Sequence, residues 1–274
     1  MEKISFVILT WNSEKTIENC LKSITHVCQS QNLEYEIHIV DNGSADNTVP
    51  IILGNADSAR IHLIRLPKNL GTTRTRNRAL RKCTGDIICI MDSDAALLEG
   101  DLRALTDTLR GDSSIGILAP RLIFSGGAIQ HSARKFPTLF QKLSRIPYIV
   151  FKLPLSPEDI YKDFPFPDIT DVDYAISACW FLRRELLDTV GFLDERIFYS
   201  PEDLDFCIRT WKKGKRIVYY PHFTVLHHVQ QITHKNFFSR IAFSHFFGLV
   251  YYFLKHRYII KPRITRRSES SGNC

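Results

Sequence analysis

Two aspartates one residue apart, Asp92 and Asp94, follow an apolar run from Ile87 to Met91. Side chains two apart on an extended backbone point the same way, so a strand ending here presents two carboxylates on one face. Like charges that close are costly unless a cation lies between them and a ligand. A metal site and a solvated acidic turn both fit these residues alone. A second acidic pair, Glu202 and Asp203, follows Ser200-Pro201. Serine as cap, proline as first helical residue and an acid three after the cap predict a helix start. The helix dipole welcomes acids in a first turn, so capping competes with acid–base chemistry as the reason for this pair. A third group, Arg74, Arg76, Arg78, Arg81 and Lys82, crowds one predicted helix over 72–82. Such a helix suits a phosphate-bearing ligand or a solvated face.

These groups need a frame. Residues 4–10 read as a buried parallel strand, apolar and β-branched. Ile17, Cys20, Leu21 and Ile24 then fall at i, i+3, i+4 and i+7, the spacing of an amphipathic helix. Residues 35–40 form a second strand, ending in Asp41-Asn42-Gly43-Ser44-Ala45-Asp46 and leading to a short helix over 46–53. A third strand covers 61–66, and Lys68-Asn69-Leu70-Gly71 opens the basic helix, which Thr84-Gly85 stops. Strands alternating with helices at this spacing predict a parallel sheet of right-handed βαβ units. Ligands in such sheets bind beyond the carboxyl ends of the strands. One rim therefore gathers Thr10-Trp11-Asn12, Asp41 to Asp46, Lys68 to Gly71 (with Asn69) and Asp92 to Asp94. A nucleotide diphosphate with a divalent cation would use an acid for base or ribose, an acid for metal and an arginine for phosphate. The alternative for Asp41 is an Asx-turn residue that orients its own backbone.

Further along, the pattern predicts a helix over 101–109 and a strand over 115–119, then a proline-bearing stretch over 121–173 of the kind that forms lids or binding segments. A strand over 174–182 and a helix over 184–190 follow. Residues 216–220 and 223–227 read as two closing strands around Pro221, ending in His227-His228. A histidine there serves as a core or surface group as readily as a ligand. Residues 235–254 are rich in aromatics, and the longest uncharged stretch, 241–254, is fourteen residues. That is too short to span a bilayer, but suits a helix lying in an interface or packed on the domain. The basic residues behind it, Lys255, Arg257, Lys261, Arg263, Arg266 and Arg267, suit anionic headgroups.

At 274 residues, 44% hydrophobic and 24% charged, the chain is ordinary globular material with room for one large α/β domain or two small ones. A net charge of +7 favours anionic partners. Seven cysteines without paired CxxC spacing fit buried thiols in a reducing compartment, not a disulfide framework or a zinc site. No nucleic-acid reading motif is present, so nucleic acid is not an expected partner. The N-terminal apolar stretch is too short for a signal peptide, and no run reaches the roughly eighteen apolar residues of a transmembrane helix. The expected location is cytoplasmic, at the inner face of the cell membrane if the tail engages lipid.

In order, VILTWN, VDNGSADNT, KNLGTTRTRN, DIICIMDSDA, SACWFLRRELLDTVGFLDERIFYSPEDLDFCIR and VLHH resemble the family 2 glycosyltransferases of GT-A fold, and within them bacterial rhamnosyltransferase-like and galactofuranosyltransferase-like members. The likeness runs from about residue 4 to 228. It implies a mostly parallel α/β sheet flanked by helices in a single domain. Residues 1–120 would form the nucleotide-sugar-binding half and 121–234 the acceptor-binding and catalytic half, with a helical aromatic and basic tail over 235–274.

The resemblance also implies roles. Thr10, Asn12, Asp41, Asn69, Arg76, Asn77 and Asp92 would contact the nucleotide. Asp94, with Asp92 and His227, would hold Mn2+ or Mg2+. Asp203 matches the general base, supported by Glu202, which with Trp180 would touch the acceptor. The activity implied is inverting transfer of a hexosyl or deoxyhexosyl group from a nucleotide-diphosphate sugar to a glycan or lipid-linked acceptor, as in cell-envelope polysaccharide synthesis. Two alternatives use the same rim: a sugar-1-phosphate nucleotidyltransferase, which would release pyrophosphate, and a nucleotide-sugar-binding protein without turnover. The first strand's loop, Trp11-Asn12-Ser13, has none of the glycines such a nucleotidyltransferase places there.

Overall fold

A computed structural model describes residues 3–55, 57–142, 159–228, 240–260, 262 and 264; for 240–243 only the helical backbone is described. The chain begins with β1 (Lys3–Thr10), α1 (Ile17–Ser30), β2 (Glu34–Asp41), α2 (Thr48–Leu53), β3 (Ile61–Arg65), α3 (Thr72–Leu80) and β4 (Ile87–Asp92). β1 pairs in parallel with β2 on one side and β4 on the other, and β3 adds to β2, also in parallel. Val7, Ile39 and Ile90 have no exposed surface, because helices cover both faces and leave these strands no wet side. The register aligns Thr10 with Asp41 and Leu9 with Asp92, so three strands end at one edge.

The second half follows as β5 (Ala95–Glu99), α4 (Leu102–Gly111), β6 (Ile115–Ile123), β7 (Ala133–Arg134), β8 (Thr170–Asp171), β9 (Tyr174–Ala175), β10 (Cys179–Arg183), α5 (Leu186–Val190), α6 (Glu202–Lys212), β11 (Arg216–His227) and α7 (Arg240–His256). β10 lies between β4 and β6, antiparallel to both, and joins the two halves into one sheet of order β3-β2-β1-β4-β10-β6-β11-β5. The sheet is thus parallel through its first four strands and mixed beyond them. One apolar layer packs α1, α2 and α4 against one face, through Leu21, Ile24, Ile52 and Leu105. The other packs α3, α5, α6 and α7 on the opposite face, through Leu80, Leu187, Ile208 and Tyr252. Each such fully buried side chain contributes roughly 1.5–3 kcal/mol by leaving water.

Three sequence expectations change in the fold. The two closing strands are one, β11, with a shift in pairing between Tyr220 and Thr224 that absorbs Pro221. The strand expected over 174–182 is two: β9 pairs with β7 in a small separate sheet, and β10 enters the main one. Ser200 is not the helix cap, because α6 starts at Glu202 with Pro201 in the cap position, its carbonyl accepting the Asp205 amide at 3.1 Å. Ser200 is committed elsewhere, its carbonyl lying against Gly248 of α7. The six cysteines described are buried and free.

Candidate active site

The β4 terminus builds the first part of the site. Asp92 ends the strand, and Asp94 lies in the turn to β5. β5 does not fold back on β4 but pairs antiparallel with β11, which sets His227 opposite Ala95. The His228 amide then donates to the Asp94 carbonyl at 2.8 Å. Sheet register thereby carries a residue from near the chain's end to the acidic turn. His227 Nε2 lies 3.6 Å from Asp94 Oδ1 and 3.8 Å from Asp92 Oδ2. His227 Nδ1 lies 2.9 Å from Gln130 Oε1. With that oxygen accepting, Nδ1 carries the proton and Nε2 turns its lone pair toward two carboxylates. Three acceptors within 4.8 Å of one another make a donor set suited to a divalent cation. Without one, burial opposes charging His227, but the Asp94 hydrogen bond and both aspartate charges outweigh it and raise its pKa.

Arg76 connects this group to the second acidic pair. Only 2% exposed, it donates from Nη2 to Asp92 Oδ1 and from Nη1 to Ser177 Oγ at 2.9 Å, and Nη1 lies 3.4 Å from Glu202 Oε1. Ser177 Oγ in turn donates to Glu202 Oε1 at 3.0 Å. Burial, with the Asp203 charge adding to it, pushes the Glu202 carboxyl up to about 8. Asp203 is half-buried, accepts the Leu204 amide at 2.8 Å, and is raised chiefly by burial. That shift opposes the helix dipole, which would make a first-turn carboxylate a weaker base.

The remaining rim residues hold the loops that frame the site. Asp41 Oδ1 accepts from Thr10 Oγ1 at 3.1 Å and from Ser44 Oγ at 2.5 Å, while Oδ2 accepts the Ser44 amide at 3.1 Å. Asp41 thus orients the backbone three residues further on. Asn12, at φ +51°, locks onto the same loop by accepting the Ala45 amide at 2.9 Å. Asn69 Oδ1 accepts from Asn42 Nδ2 at 2.9 Å and from the Gly71 amide at 2.8 Å.

Two of the expected contact residues lie in the packed interior. Asn77 does not face the site. One position along a helix from Arg76, it is turned roughly 100° away. Its side chain is fully buried, donating to the Leu193 carbonyl at 2.9 Å and Glu195 Oε1 at 3.0 Å and accepting the Leu193 amide at 3.1 Å. Trp180 has no exposed surface and stacks on Phe206 with ring centroids 5.9 Å apart. Paired with Ile90 in mid-sheet, it is part of the core.

Other residues escaped the sequence reading. α3 also anchors the 193–198 segment: Thr72 donates its amide to the Phe198 carbonyl, Thr73 Oγ1 donates to the Ile197 carbonyl, both at 2.6 Å, and Asn77 takes the 193–195 turn. A Cβ at Gly71 (φ +86°) would overlap the Phe198 carbonyl. α7 holds the far end of the same segment. Lys255 Nζ donates to Asp194 Oδ2 at 2.7 Å and Asp205 Oδ1 at 2.5 Å, and His256 Nε2 lies 2.8 Å from Asp205 Oδ1. Tyr199, half-buried between these anchors, is pushed up to about 12 by burial, with the Glu202 and Asp92 charges adding to it.

The fold and this site define the class. The chain matches Glycosyl transferase family 2 over residues 5–191 and belongs to that family. It is a glycosyltransferase of GT-A fold that uses a nucleotide-sugar donor. Among named relatives, it is 26% identical over 265 residues to N-acetylglucosaminyl-diphospho-decaprenol L-rhamnosyltransferase of Mycobacterium tuberculosis, covering 92% of this chain and 84% of that one. Its fold is similar to that of the mannosyltransferase PcManGT from Pyrobaculum calidifontis, solved with GDP-Man and Mn2+ (TM-score 0.61, 19% identity, 93% of this chain and 64% of that one). S. aureus TarS is similar as well (TM-score 0.59, 20% identity, 84% and 37%).

Proposed function

We propose that this chain transfers a sugar from a nucleotide diphosphate to an acceptor hydroxyl by a single inverting displacement, with Asp203 as general base. The observation that carries it is Arg76, which joins the Asp92–Asp94–His227 group to the Glu202–Asp203 pair in one buried network. Asp94, Asp92 and His227 would hold the divalent cation, and when bound it supplies neutralisation of charge on the departing diphosphate. A nitrogen beside two carboxylates favours Mn2+ over Mg2+, and the PcManGT structure contains Mn2+.

Asp203 keeps exposed surface, so an acceptor hydroxyl reaches it and gives up its proton as the oxygen attacks the anomeric carbon. Glu202, buried and with its carboxyl pushed up to about 8, orients the pair from behind through Ser177 and Arg76. Attack from the face opposite the leaving group inverts the stereocentre. The Asp41–Ser44 and Asn12–Ala45 turns shape the nucleotide end of the cleft. The acceptor is a glycan or a lipid-linked glycan, a reading supported by the lipid-linked acceptor in the name of the Mycobacterium tuberculosis relative. The protein works at the inner face of the cell membrane, held there by contact between residues 235–267 and anionic lipid.

A thermal-shift panel of nucleotide-diphosphate sugars with and without Mn2+ tests the reading. One donor with Mn2+ stabilises the protein by mass action, and its turnover releases nucleoside diphosphate. Asp94→Ala loses the Mn2+-dependent part of the shift. Release of pyrophosphate, or a variant that behaves as wild type in chelator, refutes the assignment.

A further inference from the structure

α7 has two unlike faces. Gly248, Tyr252, Phe253 and His256 turn inward; Tyr252 is fully buried, and a Cβ at Gly248 would overlap the Ser200 carbonyl. On the opposite side Phe246, Phe247, Val250 and Leu254 stand at i, i+1, i+4 and i+8, one stripe of the helix, with 48%, 65%, 42% and 71% of their surface exposed. Ile259 and Ile260, just past the helix end, are also more than half exposed. Scattered apolar residues on a surface need no explanation, but six large ones on and beside a single helix do. No acidic residue occurs between Asp205 and Glu269, while thirteen lysines and arginines do. Among the described residues no helix is long and apolar enough to cross a membrane.

We propose that the outer face of α7 docks into an anionic lipid bilayer, inserting Phe246, Phe247, Val250 and Leu254 at the headgroup boundary while basic residues of the adjoining sequence meet the lipid phosphates. Charge decides the occupant. The segment over 206–268 has no acidic residue. Although Arg209, Arg216 and Lys255 are paired with carboxylates of the fold, its other lysines and arginines leave an excess of positive charge that repels a second copy and fits a negatively charged plane. The inner face gives the docking its use, because the same helix grips Ser200 and Asp205, on either side of Glu202 and Asp203. A bilayer seated on α7 therefore lies beside the element that carries the proposed base. This consequence rests on the proposed transfer to a lipid-linked acceptor, whereas the docking itself does not.

Co-sedimentation of the full chain with vesicles of phosphatidylglycerol and phosphatidylcholine, against phosphatidylcholine alone, tests it. Wild type is expected to pellet with the anionic vesicles and to be released by high salt. Phe246→Ser/Phe247→Ser/Leu254→Ser should keep its unfolding temperature, since these side chains are exposed, and partition at least about tenfold less. No binding by wild type, equal binding to neutral vesicles, or equal binding by the folded triple variant overturns the proposal. So does a concentration-dependent dimer that the same substitutions dissociate. Should the donor panel fail while vesicle binding holds, the transfer reading falls and the docking stands.

Discussion

Arg76 Nη1 lies 3.4 Å from Glu202 Oε1, across 126 positions of sequence, while Nη2 of the same guanidinium donates to Asp92. One buried cation thus balances an acid from each half of the site, and the planar fork lets it reach both.

Arg76→Ala should be the most damaging single change in the cleft. It leaves the Asp92 carboxylate and the Glu202 carboxyl without their donor, at a cost of about 1–3 kcal/mol. Urea denaturation should show that loss together with loss of transfer. Arg76→Lys keeps the charge but not the fork, so it should recover stability ahead of turnover. A fully active lysine variant would mean that the two-sided grip is unimportant.

Asp203→Asn should reduce transfer by a factor on the order of 10²–10⁴, the range for a positioned base, with donor affinity nearly unchanged. Isothermal titration with the donor separates the two effects. Wild-type turnover in the asparagine variant would remove Asp203 from the mechanism.

Burial raises the Asp203 carboxyl, and a base must be ionised to act, so transfer should fall as pH drops through a value above the ordinary carboxylate range. The acidic limb of kcat against pH reports the Glu202–Asp203 pair as a unit. A limb at the pKa of a free aspartate would contradict the burial argument.

Asp205 should mark acid unfolding. Burial alone would raise it, but His256, Arg209 and Lys255 overcome burial and bring it to about 2. The unfolded chain titrates near 3.9, so a contribution on the order of 2 kcal/mol is complete above about pH 4 and lost as pH falls through the folded value. Asp205→Asn should lower stability at neutral pH and flatten its decline between about pH 4 and 2. Equal slopes for wild type and variant would exclude the grip of α7 on this residue as a source of stability.

Gly248→Val should push α7 off the Ser200 carbonyl and displace the turn before Glu202. Overpacking of this kind typically costs about 1–3 kcal/mol. kcat should fall more than donor affinity does, a split that steady-state kinetics and titration resolve.

The parallel strands, the acidic turn after β4 and the acidic start of α6 are legible in the residues alone, because apolar runs, turn residues and helix-start residues act over a few positions. Periodicity could not assign Trp180 or Asn77. A tryptophan in an apolar strand and an asparagine beside an arginine carry no local mark of which way they face. Only the tertiary structure decided that β5 leaves β4 to pair with β11, which brings His227 to Asp94, and that Arg76 turns inward while Arg74 and Arg81 stay near the surface. The physical reason is the same in each case. Charged groups far apart in the chain meet only when strand order and helix rotation are fixed by burying apolar surface elsewhere, and that burial is a property of the whole sheet, not of any segment.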